Sequence, residues 1–189
     1  MSHQPTGQLT WNDNRARPLP LLLGHGASGT AASMRPHIDG LGERGIAATA
    51  IDLPRGRAER ALPVYADRLR QLNGPALIGG HSFGGRVASM LAAQDGGGAV
   101  RGLVLFSYPL HRPGHPDDQR TEHWPQIRCP VLFLAGDADP FARLDLLRAA
   151  TAALAHCELV VYRHAGHGLG DALGDALDQV AAFVKRLSR

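Results

Sequence analysis

The sequence predicts a doubly wound α/β fold, a mostly parallel sheet of about six strands with helices on both faces. Three observations predict it: short apolar runs recur along the chain, the runs are continuous rather than alternating, and segments of helical period lie between them. A strand that is apolar throughout is buried on both faces, as in a parallel sheet covered by helices. Regular strand–helix alternation then winds the sheet through right-handed crossovers. The 189 residues are 44% hydrophobic, 20% charged and 5% aromatic, which suits one domain spanning 1–189. A chain of this size buries roughly 70% of its unfolded surface and needs no staples.

In chain order, residues 1–17 hold no apolar stretch and read as an N-terminal extension that adds at most a short edge strand. The first buried strand is expected at 19–23 and runs into a glycine-rich turn, followed by a helix over 31–43. A second strand over 46–51 ends at Asp52-Leu53-Pro54, and a helix over 58–72 follows. The third strand starts at 76–78 and leads through Gly80-His81-Ser82-Phe83-Gly84-Gly85 into a helix over 83–94. Gly96, Gly97 and Gly98 form a short turn before the fourth strand, 103–106. Residues 108–128, rich in Pro, His and charge, have no period and are expected to be a loop between strands, a length that usually carries function. A strand over 131–135, a helix over 141–155, a strand over 159–162 and a helix over 171–187 complete the chain. The last helix places Ala172, Leu173, Ala176, Leu177, Val180, Phe183, Val184 and Leu187 on one face.

Composition excludes several classes of function. The net charge is +3, but the basic residues are scattered singly, with Lys185 the only lysine, so no basic stripe marks a nucleic-acid reader. The longest early apolar run contains a proline and is far too short to span a bilayer, so no membrane partner and a cytoplasmic location are expected. Cys129 and Cys157 lie far apart without Cys-x-x-Cys spacing and read as buried structural thiols. His111, His115 and His123 crowd the irregular loop with Asp117 and Asp118, but the Pro and Gly between them prevent a regular ligand face. Neither a metal nor a cofactor is expected.

The strongest chemical signal is Gly80-His81-Ser82-Phe83-Gly84 between a buried strand and a helix, the context of a nucleophile elbow. The serine there is held at strained φ/ψ, and side chains two residues before or after it would collide with neighbouring backbone. The turn exposes the Ser82 hydroxyl at the positive end of a helix. A second signal, Gly24-His25-Gly26-Ala27-Ser28-Gly29, comes off the first strand. With the N–H of Phe83, the N–H of Ala27 would make a two-donor oxyanion hole. His25 is expected to anchor this loop by hydrogen bonds. Alone, Gly24, Gly26 and Gly29 with Asp52 on the next strand also fit a dinucleotide fingerprint, and only the later elbow argues against it. The third signal is an acid and a histidine after two late strands, in the chain order Ser, Asp, His that a triad on this kind of sheet requires. Asp139 is the expected acid, although with Pro140 it could cap a helix, and Asp137 is the alternative. His167, flanked by glycines, is the expected base, and His164 is expected to be packed or partnered. Arg55 and Arg57 sit at the carboxyl edge of a strand, where sheets of this class bind ligands.

The elbow, the glycine-rich turn after the first strand, the Gly136-Asp137-Ala138-Asp139-Pro140-Phe141 loop and the Gly166-His167-Gly168 turn resemble the α/β-hydrolase superfamily over residues 18–187. Ser107-Tyr108-Pro109-Leu110-His111 with Arg120-Thr121-Glu122-His123 further resembles its small, capless, dienelactone-hydrolase-like group, related to the hydrolase-like domain of a histone-acetyltransferase-complex regulatory subunit. The resemblance implies a minimal hydrolase fold without a lid domain and places Ser82, Asp139 and His167 in the triad positions. Dienelactone hydrolases proper carry cysteine where Ser82 stands. The expected activity is hydrolysis of a small-molecule carboxylic ester or thioester through an acyl-enzyme, with His25, Ser28, His81, Arg55 and Tyr108 as substrate-binding candidates. A homodimer is an admissible assembly. The competing expectation is a non-catalytic binding or scaffold module on the same fold.

Overall fold

The computed structural model describes residues 19–188, so the expected extension 1–17 lies outside the described residues. Six strands, β1 (Leu21–Gly24), β2 (Ala48–Ile51), β3 (Ala76–His81), β4 (Val100–Phe106), β5 (Val131–Gly136) and β6 (Cys157–Tyr162), form one sheet in the order β2-β1-β3-β4-β5-β6. Every neighbouring pair is parallel. Helices α1 (Arg35–Glu43), α2 (Ala58–Arg70), α3 (Phe83–Gln94), α4 (Leu144–Thr151) and α5 (Leu173–Leu187) cover the two faces.

Side chains alternate across the pleat and build two cores. Leu22, Ile78, Leu103, Leu105, Val131 and Phe133 face one core with residues of α2, α3 and α4. Leu21, Leu23, Leu77, Val104, Phe106, Leu132 and Leu134 face the other with residues of α1 and α5. Both sets are apolar, which is why the strands read as continuous hydrophobic runs. Tyr65, fully buried on α2, ties the first core to the sheet. Its hydroxyl lies 2.7 Å from the carbonyls of Leu22 and Gly79 and accepts the Gly79 N–H at 3.0 Å.

The chain leaves β1 toward β2 and then returns to add β3 on the other side of β1. This reversal opens a crevice beyond the carboxyl ends of β1 and β3, where open sheets of this class take their ligands. Most boundaries lie within a few residues of expectation, and two of the shifts have an identifiable cause. β4 begins three residues early, at Val100, because the Asp95 carboxylate accepts the N–H groups of Ala99 and Val100 and ends the turn there. α4 begins at Leu144 because residues 139–142 form a separate turn, with the Ala142 N–H on the Asp139 carbonyl.

The 107–130 connection holds only a 3-10 turn, Trp124–Gln126. It is anchored rather than loose: Tyr108, Leu110 and Trp124 are buried in the first core. No lid is evident.

Candidate active site

Ser82 stands between β3 and α3 with φ 50° and ψ −114°, a conformation costly for any residue with a side chain. The neighbouring glycines make that turn possible. A Cβ on Gly84 would lie 2.2 Å from the Gly24 carbonyl carbon and oxygen, and one on Gly80 would lie 2.3 Å from the same oxygen. Only glycines let α3 approach β1 this closely. The Ser82 N–H donates to the Phe106 carbonyl at 2.9 Å, fixing the elbow against β4.

Three side chains from three strand ends meet here. His167, on the turn after β6, has Nε2 2.7 Å from Ser82 Oγ and Nδ1 2.8 Å from Asp139 Oδ2. The Asp139 side chain is fully buried, and its Oδ1 accepts the Phe141 N–H at 2.8 Å. Its second oxygen is therefore aimed by a local turn, and the expected helix-capping alternative becomes a cap on the 139–142 turn. Asp137 is exposed and accepts the His164 N–H at 2.6 Å, away from His167. His164 itself, expected to be packed or partnered, is exposed at φ 59°.

The site opens into a cavity of ≈ 740 Å³. Of the residues expected to line it, Ala27, Ser28, His81, Ser82, Phe83 and His167 do so. The Ala27 and Phe83 N–H groups have no acceptor among the described residues, and Phe83 is the first residue of α3, where helical amides are free. Three expected substrate-binding residues are placed elsewhere. His25 is 2% exposed and works as a clamp, with Nδ1–H donating to the Gly26 carbonyl at 2.7 Å and Nε2 accepting the Leu53 N–H at 3.0 Å. Tyr108 is buried in the core with its hydroxyl donating to the Arg120 carbonyl. Arg55 is exposed and outside the cavity wall, where its neighbour Gly56 stands instead. Asp52, the acid of the dinucleotide alternative, is spent on the Ala31 N–H at 2.6 Å.

His37, Arg86, Arg120 and Phe141 also line the cavity, although no motif in the sequence marks them. The Phe141 ring lies 4.4 Å from that of His167 and holds it in place from one side. On the other side, His81 Nε2–H donates to the His167 carbonyl at 2.9 Å. Burial pushes the His81 imidazole below its usual value. His37, edge-on to Phe106, is driven down to about 4 by burial and then by His81. Both rings are therefore neutral near pH 7, so the wall beside His167 holds no competing positive charge on that side.

The three histidines of the 107–130 connection do not converge. His111 is buried and accepts the Arg143 N–H, His123 pairs with Ser89, and His115 is exposed. Among the described residues no three His, Cys, Asp or Glu side chains gather to hold a metal, and no helix is long and apolar enough to cross a membrane. Cys129 and Cys157 are half-buried, and burial raises both thiols to about 11.

A parallel sheet with a strained serine at a strand-to-helix elbow, met by a histidine and an acid from later strand ends, defines the α/β-hydrolase class. Residues 19–180 match the family model of the alpha/beta hydrolase domain, and the chain belongs to that family. Solved structures of similar fold include a monoacylglycerol lipase from Paleococcus ferrophilus (TM-score 0.77, 14% identity, covering 89% of this chain and 96% of that one). Est1E from Butyrivibrio proteoclasticus is similar at TM-score 0.75 and 17% identity, covering 93% and 90% of the two chains. A thermophilic esterase from Thermogutta terrifontis, solved with malate bound, is similar at TM-score 0.71 and 16% identity, covering 90% and 91%.

Proposed function

We propose that this hydrolase is a serine enzyme that cleaves a carboxylic ester or thioester through an acyl-enzyme. The observation that carries the proposal is the unbroken series Asp139–His167–Ser82, with links of 2.8 and 2.7 Å, ending on the floor of an open cavity. Ser82 Oγ–H donates to His167 Nε2, so as Oγ attacks the substrate carbonyl carbon the proton passes to the imidazole. Asp139 accepts the Nδ1–H, fixes the tautomer and stabilises the imidazolium, an attraction strengthened by complete burial of the carboxylate. The N–H groups of Ala27 and Phe83 receive the negative oxygen of the tetrahedral intermediate, each such donor contributing about 3 kcal/mol to the lowering of the barrier. The leaving alcohol or thiol takes the proton from His167, and water, deprotonated by the same ring, then splits the acyl-enzyme and restores Ser82.

Because the connection after β4 is built into the core, it supports a site that accepts compact substrates without a lid. The similarity in fold to esterases and to a lipase agrees with ester chemistry. Assay of short p-nitrophenyl esters and acyl thioesters tests the proposal. Ser82→Ala should lower turnover by on the order of 10⁴–10⁶ while leaving the circular dichroism spectrum unchanged. Equal rates in both proteins would remove Ser82 from the chemistry and restore the scaffold alternative.

A further inference from the structure

Arg86 and Arg120 line the cavity, and ester cleavage itself uses neither. Arg86 lies one helical turn beyond Ser82 on α3, and its N–H donates to the Ser82 carbonyl at 3.0 Å. Ser82 and Arg86 both line the cavity, so the arginine stands on the same side of the elbow as the serine. Arg120 reaches the same cavity from the 107–130 connection. Its N–H donates to the Leu110 carbonyl at 2.8 Å, its carbonyl accepts the Tyr108 hydroxyl at 2.6 Å, and Nη1 donates to the Pro109 carbonyl at 3.4 Å. Leu110 and Tyr108 are both buried, so core side chains fix where Arg120 stands.

Neither charge is well neutralised. The carboxylate nearest Arg86 is that of Glu59, 3.9 Å from Nη2 and largely exposed, while Arg86 Nε is buried with no partner. Arg120 forms no ion pair among the described residues, and Asp118, two positions away, is taken by Arg112 at 3.1 Å. Burial, and next the charge of Arg86, hold the Arg120 guanidinium below its ordinary value, as expected of two like charges facing one partly dry space. A buried, unpaired charged donor is costly, and a planar carboxylate offers paired acceptors to a guanidinium fork.

We propose that Arg86 and Arg120 form an anion subsite, and that the substrate is an ester or thioester carrying a second, ionised carboxylate seated there while its scissile carbonyl meets Ser82. The inference rests on the serine-hydrolase reading and supplies its substrate class. It also moves the anionic contact expected at Arg55 onto residues that line the cavity. The carboxylate belongs either to the acyl part or to the leaving group, and the chemistry at the two arginines is the same in both cases.

The test compares kcat/KM within two matched pairs. Monomethyl succinate against methyl butanoate places the charge on the acyl part, and 4-acetoxybenzoate against 4-acetoxybenzamide places it on the leaving group. In at least one pair the anionic ester should be preferred about tenfold or more, and that pair identifies which end of the substrate carries the charge. Arg86→Gln and Arg120→Gln should each reduce this ratio about tenfold, Arg86→Lys and Arg120→Lys should retain only part of it because the charge stays while the paired donors are lost, and raised salt should shrink it in the unaltered protein. No preference in either pair, or a preference that survives both glutamine substitutions together, overturns the subsite. If Ser82 takes a fluorophosphonate label and neutral esters turn over as fast as anionic ones, the subsite alone fails. If neither labelling nor hydrolysis occurs, the hydrolase reading fails with it.

Discussion

Asp139 divides one buried carboxylate between two tasks, an oxygen on the Phe141 N–H and an oxygen on His167. Replacing it by Asn keeps the shape but lets an amide N–H face Nδ1, which favours the wrong tautomer. Asp139→Asn should therefore lower kcat by on the order of 10⁴. Asp137→Asn, whose oxygen still accepts the His164 N–H, should cost less than about tenfold. Ester assays of the two variants side by side check this, and equal or reversed losses would move the acid to position 137. At this scale the motif residues were legible because backbone geometry demands them: a serine between glycines after a buried strand is recognisable in one dimension. Arg86, Arg120 and His37 were not, because lining a cavity depends on neighbours far away in the chain. Arg55 was expected at the site from its place at the end of a strand, a position that does not fix where a long side chain points.

Between elements, the distance from α3 to β1 decides whether the elbow exists. Gly84→Ala would force a methyl into the Gly24 carbonyl, where neither backbone can yield, and should cost about 1–3 kcal/mol or more. Gly42 in α1 is the contrasting case, with nothing within 4 Å of an added Cβ, so Gly42→Ala should add about 0.5–1 kcal/mol. Urea unfolding midpoints of both variants check the pair, and a Gly84→Ala protein as stable as the unaltered one would contradict the close approach. The order and type of elements were readable because continuous apolar runs and helical periods differ in kind. Their ends were less so. The early start of β4 depends on Asp95 capping two amides, and the late start of α4 on the Asp139 turn, and neither is a matter of propensity. The Tyr65 hydroxyl between β1 and β3 also left no mark in the sequence, since a buried tyrosine on a helix reads like any core aromatic.

For the whole molecule, the sheet reversal between β1 and β3 locates the crevice, and the anchored 107–130 connection leaves it open. An open cavity cannot remove a long acyl chain from water, so each added methylene beyond the wall should gain well under the roughly 0.8 kcal/mol of full burial. The dependence of kcat/KM on acyl length should flatten or fall after short chains, and a steady climb to long neutral chains would reveal an apolar tunnel. Sheet order itself could be expected only as a class, because strand neighbours are chosen by crossovers that no local pattern encodes. A nucleophilic Ser82, activated by His167 and Asp139, underlies the proposed chemistry. Its most direct test is mass spectrometry of the protein after treatment with a fluorophosphonate. A single adduct that maps to Ser82 and disappears in Ser82→Ala is expected, whereas no adduct, or an adduct retained in that variant, would remove Ser82 from the chemistry.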